Sequence, residues 1–226
     1  MDPAPIGTLS HFMARGFFIT FEGTEGSGKS TQIEILARRL VRRGHSVVTT
    51  REPGGTRFGE QIRKVLLSVQ NHRLDPRAEL FLYLASRTQH LEEVILPALR
   101  KGKIVLCDRY SDATLAYQGF GRRLDMKIVR AAVTYAAKGF SPDRTLLLDL
   151  DVRVGLARVR DRGRSNRLDR ELREFHERVR AGYLHLARMN RGRIKIVEAS
   201  REPAAVSDDI QTIVDRLLKG RRPATI

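Results

Sequence analysis

One octapeptide constrains the fold of this chain more than any other feature. Residues 23–30 read Gly-Thr-Glu-Gly-Ser-Gly-Lys-Ser, which matches the pattern G-x-x-x-x-G-K-[ST]. A short apolar run at 17–21 precedes it, and apolar residues at helical spacing follow it over 31–43. Because a strand before the loop and a helix after it are the context in which this pattern binds phosphate, we favour a phosphate-binding loop over a plain glycine-rich turn.

The chemistry of this loop follows from its residue types. Glycines allow successive N–H groups to converge on phosphate oxygens, and the start of the following helix adds partial positive charge. We expect Lys29 to reach the β- and γ-phosphates of a nucleotide and the Ser30 hydroxyl to bind Mg²⁺. The predicted nucleotide contacts are Gly23, Thr24, Glu25, Gly26, Ser27, Gly28, Lys29, Ser30 and Thr31.

Short, continuously apolar runs alternate with helical stretches along the rest of the chain. The predicted strands cover residues 16–22, 47–50, 103–107, 144–150 and 193–197. The predicted helices cover 29–43, 58–69, 76–100, 126–138, 152–160, 169–190 and 204–218. Glycines at 54–55 and 119–121 are predicted to lie in loops. The pattern predicts an α/β protein of the P-loop NTPase fold, with five parallel strands and helices on both faces.

Length and composition predict one kinase-sized domain over residues 15–226, preceded by a loosely ordered extension at 1–14. The extension lacks the charged start and apolar core of a signal peptide. No apolar run approaches the roughly 18 residues that span a membrane. The single cysteine, Cys107, excludes an internal disulfide, which fits a reducing cytosol, and we expect a cytoplasmic protein with no membrane partner.

The formal net charge of +16 raises the question of nucleic acid binding. Of 42 basic residues, 34 are arginine, and residues 151–193 hold 13 arginines against 6 acidic residues. The substrates of a phosphate-transfer enzyme are themselves anionic, and bulk charge is the only pattern that favours nucleic acid. We therefore expect small anionic partners rather than nucleic acid.

Two further segments place charged residues where predicted strands end. Residues 50–56 read Thr-Arg-Glu-Pro-Gly-Gly-Thr, in which Arg51 can bind a phosphate or carboxylate with both guanidinium nitrogens. The strand at 103–107 leads into Asp108, which can hold Mg²⁺ or its waters, and Arg109, which can bind a second phosphate. Because ligands bind at this edge in open α/β folds, we favour these roles over a plain turn and a surface ion pair.

An aromatic ring and a guanidinium share one face of the predicted helix that Asp75 and Pro76 begin. Tyr83 and Arg87 are four residues apart and could hold a planar base by stacking and hydrogen bonding. A core tyrosine beside a surface arginine is the alternative, which these residues alone favour. Tyr117, in Ala-Tyr-Gln-Gly at 116–119, could pack on a sugar or fill the core.

A polar, arginine-rich segment begins in the last turn of the predicted helix at 152–160 and continues past it, and its part at 161–167 suits a mobile lid better than a core element. Its arginines are Arg158, Arg160, Arg162, Arg164 and Arg167. An arginine that closes over a transferred phosphoryl group can contribute about 10³–10⁵ in rate. For any single arginine a solvated basic face is the favoured alternative, whereas for the segment as a whole we favour a lid at about 158–168.

Taken together and in order, these motifs resemble the thymidylate kinases: the phosphate loop, Thr-Arg-Glu-Pro-Gly-Gly-Thr, Asp-Arg-Tyr at 108–110, Ala-Tyr-Gln-Gly and the basic lid. The resemblance extends from about residue 16 to the C-terminus. The loop has no arginine between Gly23 and Gly28 while the lid is rich in arginine, which resembles the bacterial branch, whose catalytic arginine comes from the lid. The resemblance implies a homodimeric kinase that uses ATP and Mg²⁺ to phosphorylate dTMP.

The resemblance also implies roles at matching positions. The catalytic residues would be Lys29, Arg109 and one or more of Arg162, Arg164 and Arg167, and the metal site would be Ser30 with Asp108. The substrate-binding set would be Glu25, Arg51, Tyr83, Arg87, Arg109, Thr114, Tyr117 and Gln118.

Within that substrate set the resemblance assigns Arg51 and Arg109 to the acceptor phosphate. Glu25 would bind the sugar 3′-hydroxyl or a nearby water. Tyr83 stands where the family carries a ring that stacks on thymine, Arg87 would bind a base carbonyl, and Tyr117 would pack against the deoxyribose. Ala113 stands where some relatives carry a hydroxyl residue, so Thr114 becomes the candidate base contact.

Three alternatives stay open from the sequence. Another nucleoside monophosphate kinase shares the phosphate loop, but we would not expect it to combine the motif at 50–56 with Asp-Arg-Tyr. A GTPase switch needs a guanine-reading Asn-Lys-x-Asp, which the sequence lacks. A nucleic-acid-binding ATPase is favoured by charge alone.

Overall fold

Five strands form the centre of the computed structural model, which describes residues 16–161, 163 and 166–220. The strands are β1 (Phe18–Glu22), β2 (Val47–Arg51), β3 (Ile104–Asp108), β4 (Arg144–Asp149) and β5 (Ile194–Glu198). They pair in parallel in the order β2-β3-β1-β4-β5. The predicted five-stranded parallel sheet is therefore confirmed.

Helices connect consecutive strands and continue past the last one. They are α1 (Lys29–Arg42), α2 (Arg57–Leu67), α3 (Pro76–His90), α4 (Leu96–Arg100), α5 (Ser111–Thr114), α6 (Met126–Ala136), α7 (Val152–Asp161), α8 (Arg173–Met189) and α9 (Pro203–Lys219). A π-helical turn, Leu91–Ile95, joins α3 to α4, so the predicted helix at 76–100 is one continuous helical body. The last long predicted helix before β5 begins at Arg173 because Glu171 and Leu172 have extended backbone angles.

The sheet has an apolar layer on each face. Ile19 and Phe21 of β1 point to one side, where they pack with residues of α1 and α9. Phe18 points to the other side and packs against Leu91, Ile95 and Tyr110. A further cluster joins α3, α6 and α8 on this second side. Burial on both faces is the physical reason that the central strands β1, β3 and β4 are mostly apolar, whereas the edge strands β2 and β5 are partly exposed and carry polar residues.

The loop predicted at glycines 119–121 is wrong, because these residues form part of a π-helical segment, Leu115–Gly121, that continues α5. Its glycines serve close packing rather than a turn. A Cβ on Gly119 would lie 2.4 Å from Met126, and a Cβ on Gly121 would lie 2.8 Å from Phe175 of α8. A side chain at Gly121 would therefore clash with Phe175 and Val179 of α8, whereas one at Gly119 would displace only the flexible end of Met126 on α6.

Several sequence predictions fall on parts of the chain that the structure does not describe. The extension at 1–14 lies outside the described residues, as do Arg162 and Arg164 of the predicted lid. The described part of that lid includes the end of α7 at Asp161, Gly163 and residues 166–168. Across the described residues, no helix combines the length and apolar character that crossing a membrane requires.

Candidate active site

A cavity of about 610 Å³ opens at the carboxyl edge of the sheet. It lies there because β1, β2 and β3 end level with one another: Asp108 pairs in register with both Phe21 and Arg51. The predicted site residues that line the cavity are Glu25, Gly26, Gly28, Lys29, Ser30, Thr31, Arg51, Tyr83, Arg87, Asp108, Arg109, Thr114, Tyr117 and Gln118. Gly23, Thr24 and Ser27 lie in the loop behind it.

The loop curls around the start of α1. Gly26 (φ +72°) and Gly28 (φ +88°) have left-handed backbone angles, which glycine adopts at least cost. A Cβ on Gly26 would also lie 2.3 Å from the carbonyl oxygen of Gly155 on α7. Lys29 Nζ folds back over the loop and donates to the carbonyl oxygens of Gly23 (3.1 Å) and Thr24 (2.9 Å). Burial, together with the charge of nearby Arg109, lowers the pKa of Lys29 to about 8.

Ser30 and Asp108 meet where the loop faces the end of β3. Ser30 Oγ donates to Asp108 Oδ2 at 3.1 Å. The other carboxylate oxygen, Asp108 Oδ1, is buried and has no hydrogen-bond partner among the described residues. Hydroxyl and carboxylate oxygens suit Mg²⁺, which takes its remaining ligands from water and phosphate. The two residues therefore fit a magnesium ion that binds with a nucleotide.

Arg109 follows β3 and turns back over the phosphate loop. Its φ of +72° is unusual for a residue with a side chain. Nη1 donates to the carbonyl oxygen of Gly23 at 3.0 Å, and Nη2 donates to Glu25 Oε1 at 3.0 Å. The guanidinium carbon lies 4.8 Å from the ring centroid of Tyr117. The geometry holds a positive charge directly beside the loop.

Glu25 lies at the centre of several contacts. Besides Arg109, it accepts a hydrogen bond of 2.7 Å from the hydroxyl of Tyr117, and Nδ1 of His176 lies 3.4 Å from its Oε2. Burial alone would raise the pKa of Glu25, but Arg109, His176 and Lys29 outweigh burial and hold that pKa far below its usual range. Glu25 is therefore an anion at any pH near neutrality.

Arg87 is fixed deep in the wall of the cavity with 1% of its surface exposed. Nε donates to Glu52 Oε2 at 2.8 Å, and Nη2 donates to Thr114 Oγ1 at 2.9 Å. Nη1 is buried and has no hydrogen-bond partner among the described residues. Tyr83, one turn earlier on α3, also lines the cavity. The predicted pairing of Tyr83, Arg87 and Thr114 is thus present as one polar and aromatic wall, with one guanidinium nitrogen free to bind a ligand.

Arg51 stands at the outer rim rather than in the interior. About half of its side chain is exposed, and Nη2 donates to both carboxylate oxygens of Glu60, at 3.1 and 3.0 Å. Glu60 also accepts from the backbone of Gly55, so the ion pair ties Arg51 to the turn that follows β2. The side chain remains accessible to a ligand in the cavity.

Arg167 is the one catalytic lid candidate that the described residues include, and it is buried. Nη2 donates to Glu79 Oε2 at 2.5 Å, and Nε donates to the carbonyl oxygen of Leu66 at 3.0 Å. Glu79 also accepts from Gln118 (2.8 Å) and Arg122 (3.1 Å). Burial alone would raise the pKa of Glu79, but these donors lower it. Arg167 does not line the cavity.

The sequence prediction missed several residues that hold the site together. Glu52 and His90 support Arg87: His90 Nδ1 lies 3.0 Å from Glu52 Oε1. Glu22 and Tyr183 lie behind Arg109. Glu52 belongs to the motif at 50–56 and could have been found there, whereas Glu22 precedes the loop as one more residue of an apolar strand.

Comparison with known proteins agrees with this geometry. A family model described as thymidylate kinase matches residues 21–210. The thymidylate kinase of Desulfovibrio desulfuricans is 50% identical over 211 residues, which cover 90% of this chain and 97% of the relative. That of Trichlorobacter lovleyi is 52% identical, with 87% and 96% covered. A crystal structure of thymidylate kinase from Ehrlichia chaffeensis superposes with a TM-score of 0.73 at 32% identity, covering 89% of this chain and 99% of that one. The chain belongs to the thymidylate kinase family.

Proposed function

We propose that the cavity at the carboxyl edge transfers the γ-phosphoryl group of ATP to dTMP, giving ADP and dTDP. The observation that carries this proposal is that two walls of different chemistry line one cavity. One wall is the phosphate loop with Lys29 and Ser30, and the other is the polar and aromatic wall with Tyr83 and Arg87. Arg109 stands between them, where donor and acceptor phosphates would meet. Family membership supplies the reaction.

On the donor side, Lys29 would leave the carbonyl oxygens it now binds and follow the transferred phosphoryl group. Ser30 and Asp108 would hold Mg²⁺, which supplies neutralisation of the charge on the β- and γ-phosphates. No residue needs to act as a base, because the acceptor phosphate is already an anion. The contribution of the protein is to align the two phosphates and to stabilise charge.

On the acceptor side, the arginines at the two strand ends would bind the phosphate of dTMP: Arg109 from within and Arg51 from the rim. Arg87 Nη1 is a buried donor without a partner, which supports its assignment to a base carbonyl oxygen. Tyr83 would stack on the thymine, with Thr114 and Gln118 on the same wall.

The sugar would lie against Tyr117 and Glu25. Glu25 is held as an anion by Arg109 and His176, so it can accept a hydrogen bond from a 3′-hydroxyl. The hydroxyl of Tyr117 donates to Glu25, and its ring lies against the guanidinium of Arg109. These two contacts fix the ring in place and support a role for Tyr117 in shaping the space for deoxyribose.

For the lid, we assign the charge that meets the transferred phosphoryl group to Arg162 or Arg164. Arg167 is committed to Glu79 and the carbonyl oxygen of Leu66, a setting that supports a role as the anchor of the lid. The loop itself has no arginine between Gly23 and Gly28, and the lid is the nearest arginine-rich segment that the sequence predicts to be mobile.

We also propose that the protein forms a homodimer through the faces of α2, α3 and α6. These helices pack side by side and expose large apolar side chains: Phe58 and Val65 on α2, Phe81 on α3 and Ile128 on α6. Contiguous exposed apolar surface of this kind marks interaction sites. The cytoplasm is the compartment we propose, since Cys107 is a free buried thiol that suits a reducing environment.

Nucleic acid is not a partner in this proposal. Part of the arginine surplus is consumed inside the fold, where Arg87, Arg109, Arg122, Arg167 and Arg193 form ion pairs with buried or half-buried carboxylates. These charges are unavailable to a phosphate backbone.

The decisive experiment is a screen of all nucleoside monophosphates as acceptors, with ATP and Mg²⁺. We expect dTMP to be best, and dUMP to be about 10-fold or more weaker, because a methyl group in a fitted pocket contributes about 1–3 kcal/mol. AMP or GMP as the best acceptor would overturn the assignment of the base wall and favour another nucleoside monophosphate kinase.

A further inference from the structure

Glu22, the last residue of β1, is completely buried behind Arg109 and has no role in the reaction as assigned above. Its two carboxyl oxygens serve different parts of the structure. Oε1 accepts a hydrogen bond of 2.7 Å from the backbone N–H of Tyr110, and Oε2 accepts one of 2.7 Å from the hydroxyl of Tyr183 on α8. The same hydroxyl accepts a hydrogen bond of 3.2 Å from Arg109 Nη1.

These contacts close a ring around Arg109. Glu22 accepts a hydrogen bond from the backbone N–H of Tyr110, the residue after Arg109. Glu22 also binds the hydroxyl of Tyr183, which in turn binds the guanidinium of Arg109. Its own N–H donates to the carbonyl oxygen of Phe21 at 2.9 Å, as part of the sheet edge. One buried carboxyl group thus fixes both the main chain and the side chain of a single arginine.

Arg109 needs such support because its backbone has a φ of +72°. Residues with side chains rarely adopt this conformation and keep it only where their surroundings enforce it. The conformation matters for the site, because it reverses the chain at the end of β3 and directs the guanidinium over the phosphate loop. An extended backbone at this position would send the side chain elsewhere.

The charge state of Glu22 also fits this role. Burial, and then the negative charge of Asp112, raise its pKa to about 8. The titratable and charged groups that interact with it include Asp112, Arg109, Tyr183, Lys29, Arg193, Arg87 and Cys107. Because burial disfavours the charged form of Glu22, this carboxyl group offsets less of the positive charge of Arg109 than an exposed carboxylate would, and that charge stays available for a phosphate.

We propose that Glu22 and Tyr183 are positioning residues for Arg109, which hold it in the conformation that binds the acceptor phosphate and tie α8 to that site. The proposal rests on the role of Arg109 at the acceptor phosphate. Neither residue touches substrate; both act through Arg109.

Tyr183→Phe is the first test, because it deletes one hydroxyl and leaves the ring in its packed position against Tyr117. We expect the KM for dTMP to rise about 10-fold, as for the loss of a hydrogen bond to a charged group, while the KM for ATP changes less than twofold. Thr212→Val is the control, since it deletes an exposed hydroxyl on α9 that donates to the carbonyl oxygen of Asp208, and it should match the unmodified protein. An unchanged KM for dTMP in folded Tyr183→Phe protein overturns the proposal.

A double-mutant cycle separates positioning from a merely structural role. Arg109→Lys should itself raise the KM for dTMP, and adding Tyr183→Phe to it should raise that KM less than twofold further. Effects that multiply instead show that Tyr183 acts independently of Arg109 and overturn the proposal. If Arg109→Lys leaves the KM for dTMP unchanged, the acceptor role of Arg109 fails first, a result distinct from failure of the positioning proposal alone.

Glu22→Ala removes the hydrogen bonds to the N–H of Tyr110 and to the hydroxyl of Tyr183, and with them both supports of Arg109. It should raise the KM for dTMP at least as much as Tyr183→Phe does. Because it leaves a cavity beside a buried strand, circular dichroism must first confirm that it folds. A folded Glu22→Ala protein with a normal KM for dTMP would exclude Glu22 from the positioning pair; if it does not fold, the cycle with Tyr183→Phe remains the deciding measurement.

Discussion

Arg167 and Glu79 form a buried ion pair, with 2.5 Å between Nη2 and Oε2 and 4% and 0% of their side chains exposed. Because Glu79 lies on α3, the pair joins the end of the lid to that helix. Glu79 also binds Gln118 of the π-helical segment and Arg122 of the turn that follows it. Without Arg167, Glu79 keeps Arg122 as a charged partner but loses one donor, and the carbonyl oxygen of Leu66 also loses its donor. Buried acceptors that lose a charged donor are costly to the fold.

We therefore expect Arg167→Ala to act mainly on stability. The free energy of unfolding should fall by about 2–3 kcal/mol, as for lost hydrogen bonds that involve a charged group, measured by urea denaturation. Arg173→Ala is a suitable control: Arg173 forms an exposed i,i+4 pair with Glu177, and its loss should cost less than about 0.5 kcal/mol. A folded Arg167→Ala protein of normal stability but with a large loss of kcat would instead return Arg167 to the catalytic set.

The remaining lid arginines should act on the chemical step. Replacing Arg162 and Arg164 together should lower kcat by about 10²-fold or more, with a smaller change in the KM for dTMP, because the lost charge stabilises the transferred phosphoryl group. Of the single variants, Arg162→Ala or Arg164→Ala should account for most of this loss. Steady-state kinetics with circular dichroism as a folding check decide the matter; a double variant whose kcat stays within a few fold supports a solvated basic face.

Lys29→Ala should nearly abolish turnover and preserve the fold. Among the described residues, Lys29 Nζ donates to loop carbonyl oxygens and to Ser27 Oγ and forms no ion pair, so its removal breaks none there. Since the ammonium follows the transferred phosphoryl group, the loss should fall on kcat by about 10²-fold or more rather than on binding alone. Near-normal kcat in folded Lys29→Ala protein would remove the kinase assignment altogether.

The fold was predictable because most strands are short apolar runs and the long helices carry a regular apolar spacing. The same local view failed at Gly119 and Gly121, since a glycine that permits close helix packing looks like a loop glycine until its neighbours Met126 and Phe175 are known. Local pattern identifies an element; it does not identify what lies against it.

The site divides along the same line. Lys29, Ser30, Asp108 and Arg109 were predictable because motifs place them beside strand ends. The buried carboxylates were not, because their partners are distant in sequence: Glu79 pairs with Arg167 across 88 positions, and Glu22 with Tyr183 across 161. A single sequence contains no signal that joins such residues.

The pH dependence of stability should carry the signature of Glu22. Its pKa is raised from 4.5 in a solvated chain to about 8 in the folded protein, mainly by burial and by Asp112. Between these values the folded state binds the extra proton, so this group stabilises the fold fully below about pH 4.5 and loses that contribution as the pH rises through 8. The contribution should change by up to about 1.4 kcal/mol per pH unit.

Glu22→Gln provides the measurement, because an amide cannot ionise yet can still accept a hydrogen bond from the N–H of Tyr110. Free energies of unfolding at pH 5, 6, 7 and 8 should decline for the unmodified protein relative to the variant, with the gap between them changing steadily across this range. Lys29 does not confuse the comparison, since its lowered pKa of about 8 places its own effect above pH 8 and both proteins contain it. If the free energies of unfolding of the two proteins follow parallel curves against pH, Glu22 is ionised in the folded protein throughout this range. The raised pKa of Glu22 would then be wrong.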